Sequence, residues 1–338
     1  MKKMLIAASA VLAVQVTVSA QIPDPFLPAN EYYSYDSTYG IVTGFADAVG
    51  DSANTNAGIH VSGKIWRDGR LQSPAAYTFA GWASGVASYV QGAGITGSGT
   101  DVDPSIWTDT SRALGKAAAS DTSAVTVLGD GGSITLTFDN PIGNGSGYDF
   151  AVFENALNDT FLELGFVEVS TDGTHFLRFP NFYLGTTSVG GDSTSGANDP
   201  TLIYNLGDKY RIGYGTGYDL AELILVYEYI TAHWDAEAGT VSSTSIFSAD
   251  YAADFLANYD YVNIDLVNYV RIVDIVGDGN TTDSAGNPIY DAYPTSGTAG
   301  FDLDAIGVFN YSTIPEPAEY AAAAGVLALA FATWRRRG

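Results

Sequence analysis

The sequence predicts an all-β domain, a jelly-roll-like β-sandwich with a small, partly helical insertion. Three observations predict it. Glycine, tyrosine and phenylalanine number 38, 22 and 16 among 338 residues, which suits short strands joined by tight turns better than helix bundles. From Val125 onward, short runs alternate polar with apolar residues and end on acidic or turn-forming ones. Asp172-Gly173 lies between two such runs, a strong hairpin signal.

Residues 1–20 join Lys2 and Lys3 to an apolar run from Met4 to about Val14, then to the small-x-small pattern Val18-Ser19-Ala20. That is the pattern of a secretory signal helix removed on export. Residues 21 to about 120 are rich in Gly, Ser and Asp, and no linker separates them from the strand-rich remainder of the chain. One sandwich domain is therefore expected over 21–312. In SITLTFDNPIG, Ile134, Leu136 and Phe138 alternate with Ser133, Thr135 and Thr137, and the strand is expected to stop at Asn140-Pro141. YDFAVFEN, LGFVEVSTDGTHFLRFP, NYVRIVDIVGDGN and GFDLDAIGVFN supply further short strands with acidic ends. Residues 224–266 read as an insertion packed on one edge of the sandwich. Within it, SADYAADFLANY predicts a short helix capped by Ser248 or Asp250.

The formal net charge is −24. Setting aside Lys2, Lys3, Arg335, Arg336, Arg337, Glu316 and Glu319, which fall in terminal segments, leaves 9 of the 14 basic and 36 of the 38 acidic residues, near −27. Such a field repels nucleic acid and anionic lipid and suits divalent cations. Cysteine is absent, which excludes thiolate chemistry. An exported domain without disulfides takes its stability from a large core, from bound metal, or from both.

Acidic strand ends are the first candidate site. Asp149 and Glu154 flank the AVF strand, while Asp302 and Asp304 alternate with Phe301 and Leu303 and so share one strand face. Where the first and last strands meet, these four carboxylates converge on a metal site, and a calcium ion (Ca2+) relieves their repulsion. The plainer reading makes them solvated strand-end acids or turn caps. A second acidic stretch holds Asp274, Asp278, Asn280, Asp283 and Asp291. Counted from Asp278, an EF-hand needs Gly and Glu where Asp283 and Ile289 stand, so a loop shaped by Asx turns is the better reading.

Trp66, Trp82, Trp107 and Trp234 offer flat surfaces on which sugar rings can stack, although most tryptophans of a sandwich pack its core or rim. His60, His175 and His233 stand apart, with neither H-E-x-x-H nor G-x-S-x-G in the chain. Glu163 with Glu168, or Glu168 with Asp172, could pose as the carboxylate pair of a glycosidase, but Glu168 and Asp172 sit on a hairpin strand where an exposed polar face is the better explanation.

The C-terminus carries the most specific signal. Residues 320–334 form an uncharged apolar span of 15 residues, roughly 22 Å as a helix and short of the ~30 Å hydrocarbon core. Arg335, Arg336 and Arg337 hold its end on the cytoplasmic side. Upstream, Pro315-Glu316-Pro317 enforces an extended segment of the kind that enters a protease cleft. In this order, residues 313–338 resemble the PEP-CTERM sorting signal. The resemblance implies transient anchoring through a short transmembrane helix at the inner membrane of a Gram-negative bacterium that makes exopolysaccharide. It also implies processing by an exosortase, a membrane-embedded cysteine protease.

The body resembles a cell-surface domain found among PEP-CTERM proteins, through GGSITLTFDNPIGNGSGYDFAVFEN, FVEVSTDGTHFLRFP, KYRIGYGTGYDLAEL, YVRIVDIVGDGN and GFDLDAIGVFN. The VEVSTDG hairpin is also similar to galactose-binding-like, discoidin-type jelly rolls. These resemblances imply a β-sandwich, sometimes with bound calcium, in an adhesive or matrix role. The resulting expectation is an exported, non-enzymatic surface or matrix protein associated with extracellular polysaccharide. The alternative is a secreted glycan-active hydrolase or lyase.

Overall fold

The computed structural model describes residues 77–312 except 98–102, 119, 159 and 192–197, and short segments between residues 34 and 71. The secretory signal and the whole sorting tail, with Pro315, Glu316, Pro317, Arg335, Arg336 and Arg337, lie outside the described residues. Among the described residues, no helix is long and apolar enough to cross a membrane.

Strands dominate, arranged in several antiparallel sheets with few helices. The five-stranded sheet runs Leu177–Arg178, Gly165–Ser170, Val267–Asp274, Ser133–Ile142, Gly85–Val90. In the eight-stranded sheet, Phe150–Glu154 lies between Tyr214–Tyr218 and Asp302–Val308. Gly58–His60 pairs with Tyr214–Tyr218, so an N-terminal segment belongs to the same sheet.

Alternation explains how the two sheets pack. The register sets Ile134 opposite Ile272 and Ile272 opposite Val167, while Leu136, Val270 and Val169 form the next row. These six side chains are buried and meet Phe150, Val152, Leu303 and Ile306 of the other sheet in one core. Fully burying each side chain of this size contributes about 1.5–3 kcal/mol. The expected hairpin also forms: Glu168 pairs with Arg178 and Val169 with Leu177 around a loop in which Gly173 has φ 75°.

Two details differ from the sequence reading. Strand Ser133–Ile142 runs through Asn140-Pro141 instead of stopping there. Its register against Val267–Asp274 shifts between Tyr269, opposite Thr137, and Val267, opposite Ile142, so Pro141 sits in a bulged stretch where the ladder does not need its missing donor.

The second difference concerns the insertion, which holds two helices, Ala221–His233 and Ala249–Tyr259. Ser248 caps the latter, its side chain accepting from the Tyr251 amide. The first helix begins ahead of residue 224, and its Leu223, Val226 and Ile230 join Phe255 in the core shared by both large sheets. The helices are therefore part of that core, not an addition to one edge.

Candidate metal centre

A strand end and its two neighbours build the site. Phe150–Glu154 pairs with Asp302–Val308, Phe153 opposite Ala305 and Glu154 opposite Leu303. This brings Glu154 beside Asp302. The chain then loops back, and Glu163 arrives just before strand Gly165–Ser170 of the other sheet. One carboxylate oxygen from each of Glu154, Glu163 and Asp302 lies within 4.8 Å of the other two. All three residues are buried, with relative exposures of 2, 7 and 4 %.

Asp208, 2 % exposed, adds a fourth acid. Its Oδ2 accepts the Glu163 amide at 2.6 Å, and its carboxyl faces Glu154 closely enough for a hydrogen bond were either protonated. Asp208 has φ 58°, a left-handed conformation uncommon outside glycine.

Burial is the foremost cause raising all four carboxyls well above the usual carboxylate range. Neighbouring acids push the same way: Asp208 on Glu154, Asp302 on Glu163, and Glu154 on Asp302. Backbone amides of Ala156 and Asp302 donate to Glu154, and Asn155 and Thr298 lie beside Asp302. With the Glu163 amide on Asp208, that is the main opposing support. Glu163 Oε1, Asp208 Oδ1 and Asp302 Oδ1 are buried without a hydrogen-bond partner. Thr295 Oγ1, next to Glu163 but outside hydrogen-bonding geometry, has none either. Buried oxygens in this state require protons or a cation.

The structure separates the four acids that the sequence grouped. Glu154 and Asp302 meet, whereas Asp149 and Asp304 belong elsewhere. Asp149 accepts the amides of Gly145 at 2.7 Å and Leu220 at 2.8 Å and the Asn310 side chain at 2.9 Å. It thereby ties the turn before its strand to the start of helix Ala221–His233, and burial raises its pKa to about 6. Asp304 receives the Ala118 amide on both oxygens, at 3.0 Å each. The register shift between Phe153 and Glu154 leaves Asp304 as the unopposed residue of a bulge. Strict two-residue alternation therefore fails at this point, and Asp302 and Asp304 serve different neighbourhoods.

The second acidic stretch folds as the hairpin Asp278–Thr282 and Pro288–Tyr290. Asp278 accepts the Asn280 amide, and Asp283 accepts the amides of Ala285, Asn287 and Tyr183. Asp274 takes the Gly131 and Phe301 amides, and Asp291 takes that of Leu164. A Cβ on Gly277, with φ 77°, would collide with Asp291 Oδ1, so only glycine fits there.

Among the tryptophans, Trp107 is buried with Ile95, Val125 and Val127, and half-buried Trp82 packs with Phe79 and Phe153. Trp234 packs partly buried against the main core, and Trp66 lies in strand Ile65–Arg67. Of the histidines, His175 bonds Asp172 and stacks on Tyr261, His233 bonds the Tyr229 carbonyl, and His60 lies in strand Gly58–His60.

The acids considered for glycoside chemistry have structural partners. Glu168 is held by Arg178 Nη2 at 2.8 Å and Arg271 Nε at 2.5 Å, with the guanidiniums over the rings of Phe166 and Phe176. Asp172 accepts the amides of Thr174 and His175, which hold its pKa well below the usual range.

Sequence reasoning missed Asp208 and cast Glu163 only as a possible acid of an enzymatic pair. Glu163 did leave a signal, as a lone charge inside the apolar run FLELGFV. Asp208 left none. Comparison with known proteins returned no matching family model and no matching curated relative.

Proposed function

We propose that the chain is an exported, non-enzymatic cell-surface or matrix protein, with a jelly-roll-like sandwich as its body. Its C-terminal segment directs it to an exosortase-type protease, after a transient stay at the inner membrane, and the released body associates with extracellular polysaccharide. The observation that carries this reading is the ordered series of Pro315-Glu316-Pro317, an apolar span and Arg335-Arg336-Arg337, opposite an N-terminal secretory pattern. The structural roles of Glu168 and Asp172 add support, because an acid clamped by two arginines and one pinned in a turn are poorly placed for proton transfer.

Mass spectrometry of protein recovered from the cell surface or medium tests the sorting step. Peptides beyond the Pro315–Pro317 motif are expected to be missing, and Glu316→Ala is expected to accumulate full-length precursor. Recovered material reaching Gly338 would contradict the reading. Incubation with a polysaccharide panel is expected to show binding without products. Turnover that disappears in Glu168→Gln would put the hydrolase alternative in its place.

A further inference from the structure

We propose that Glu154, Glu163 and Asp302 together bind one calcium ion where the ends of the two sheets meet, with Asp208 beside them. The inference goes beyond the exported-protein reading and is independent of it, since the site lies wholly in the folded body.

Acidic clusters are common on surfaces and mean little there. This one is buried, and its hydrogen bonding is incomplete. Asp208 supplies the independent observation: it lies outside the triad of Glu154, Glu163 and Asp302, is only 2 % exposed, and has one oxygen committed to the Glu163 amide and the other to nothing. Its carboxyl lies against Glu154, beside the triad. Unpartnered oxygens on Glu163 and Asp302 repeat the pattern. An unpaired buried polar atom costs about 1–3 kcal/mol, and more where charged. A single ion held by Glu154, Glu163 and Asp302 removes the deficits of Glu163 and Asp302 together.

The dimensions fit. The triad's oxygens lie within 4.8 Å of one another, no farther apart than two oxygens on opposite sides of an ion at ~2.4 Å. The donor set selects the ion. All three side chains offer oxygen, with no histidine or cysteine, which disfavours zinc. Magnesium prefers to keep several waters, whereas calcium accepts six to eight oxygens in irregular, largely protein-built sites. Three carboxylates, each able to bind through both oxygens, and the nearby Thr295 hydroxyl suit calcium. The amides of Ala156, Asp302 and Glu163, which already donate to Glu154 and Asp208, offset part of the charge that one divalent ion leaves over.

Calorimetric titration of calcium chloride into the exported protein, stripped with EDTA and dialysed, tests the assignment. One site per chain is expected, with affinity reduced about tenfold or more in Asp302→Asn and in Glu163→Gln and unchanged in the surface variant Asp254→Asn. Wild-type protein that binds no calcium overturns the proposal, as do wild-type affinities in both substituted proteins. Should those substitutions prevent folding, wild-type protein decides through competition. Calcium binding that survives about a 100-fold excess of magnesium supports the site, and its loss to magnesium overturns the calcium assignment.

Discussion

Asp149 and Glu154 stand at the two ends of one short strand, both are buried, and their oxygens meet different surroundings. Asp149 is enclosed by two backbone amides and an asparagine side chain. Glu154 receives amides too, but it faces Asp208 and lies against Glu163 and Asp302, whose outward oxygens have no partner. Elsewhere Asp274, Asp283 and Asp304 follow the first pattern, each taking backbone amides as a fold-building acceptor. Glu168 shows a third solution, two arginines for one carboxylate. Burial alone therefore does not mark a cation site. What marks it is burial with the donors missing.

The largest expected effect sharpens this contrast through pH. Burial raises Asp149 to about 6 and Asp219 and Glu222 to about 7, against the opposing hydrogen bonds each receives. A raised carboxyl pKa means that the folded state holds the proton more tightly. Its stabilisation is complete below the unfolded value of about 4 and is lost as pH rises through 6–7. Each pH unit between a group's folded and unfolded pKa is worth about 1.4 kcal/mol. In saturating calcium, urea unfolding should therefore show stability falling by several kcal/mol from about pH 5 to about pH 8. Glu222→Gln, which keeps an acceptor for Tyr204 or Asn205, should flatten the profile. An unchanged slope in that variant would remove these amide-held acids from the explanation.

Chelation breaks the comparison from the other side. With calcium at ~100 times its Kd, removing the ion should cost about 2.7 kcal/mol, read as a lower melting temperature in EDTA. Asp302→Asn should lose that response, whereas Asp149→Asn should keep it.

For the arginine-clamped acid, Glu168→Gln leaves two guanidiniums facing an uncharged partner. The expected loss is about 2 kcal/mol, below the ~3–5 kcal/mol of a fully buried pair, because each arginine side chain is 33 % exposed. This loss should be equal with and without calcium. The smallest effect lies far from the acids: Ser248→Ala removes the cap of helix Ala249–Tyr259 and should cost about 1 kcal/mol.

Local rules carried the sequence reading wherever a feature depends on neighbours along the chain. Ile134 and Leu136 announced the buried face of their strand by alternation, and Asp172-Gly173 announced the turn between Val169 and Leu177. The reading failed where a partner strand or a packed layer decides. The bulge that detaches Asp304 from Asp302 exists only in the pairing with Phe150–Glu154. Helix Ala221–His233 buries Leu223, Leu225, Val226, Tyr229 and Ile230, too broad a set for the single stripe that identifies a surface helix. Asp208 reaches the acidic centre from a turn distant in sequence from both Glu154 and Asp302, so no spacing rule could have linked them.

Elemental analysis of the folded protein after dialysis against metal-free buffer addresses the acidic centre most directly. One calcium per chain, retained through dialysis and lost together with thermal stability on adding EDTA, is the predicted result. Folded protein that carries no metal, and melts at the same temperature with calcium or with EDTA, would contradict it.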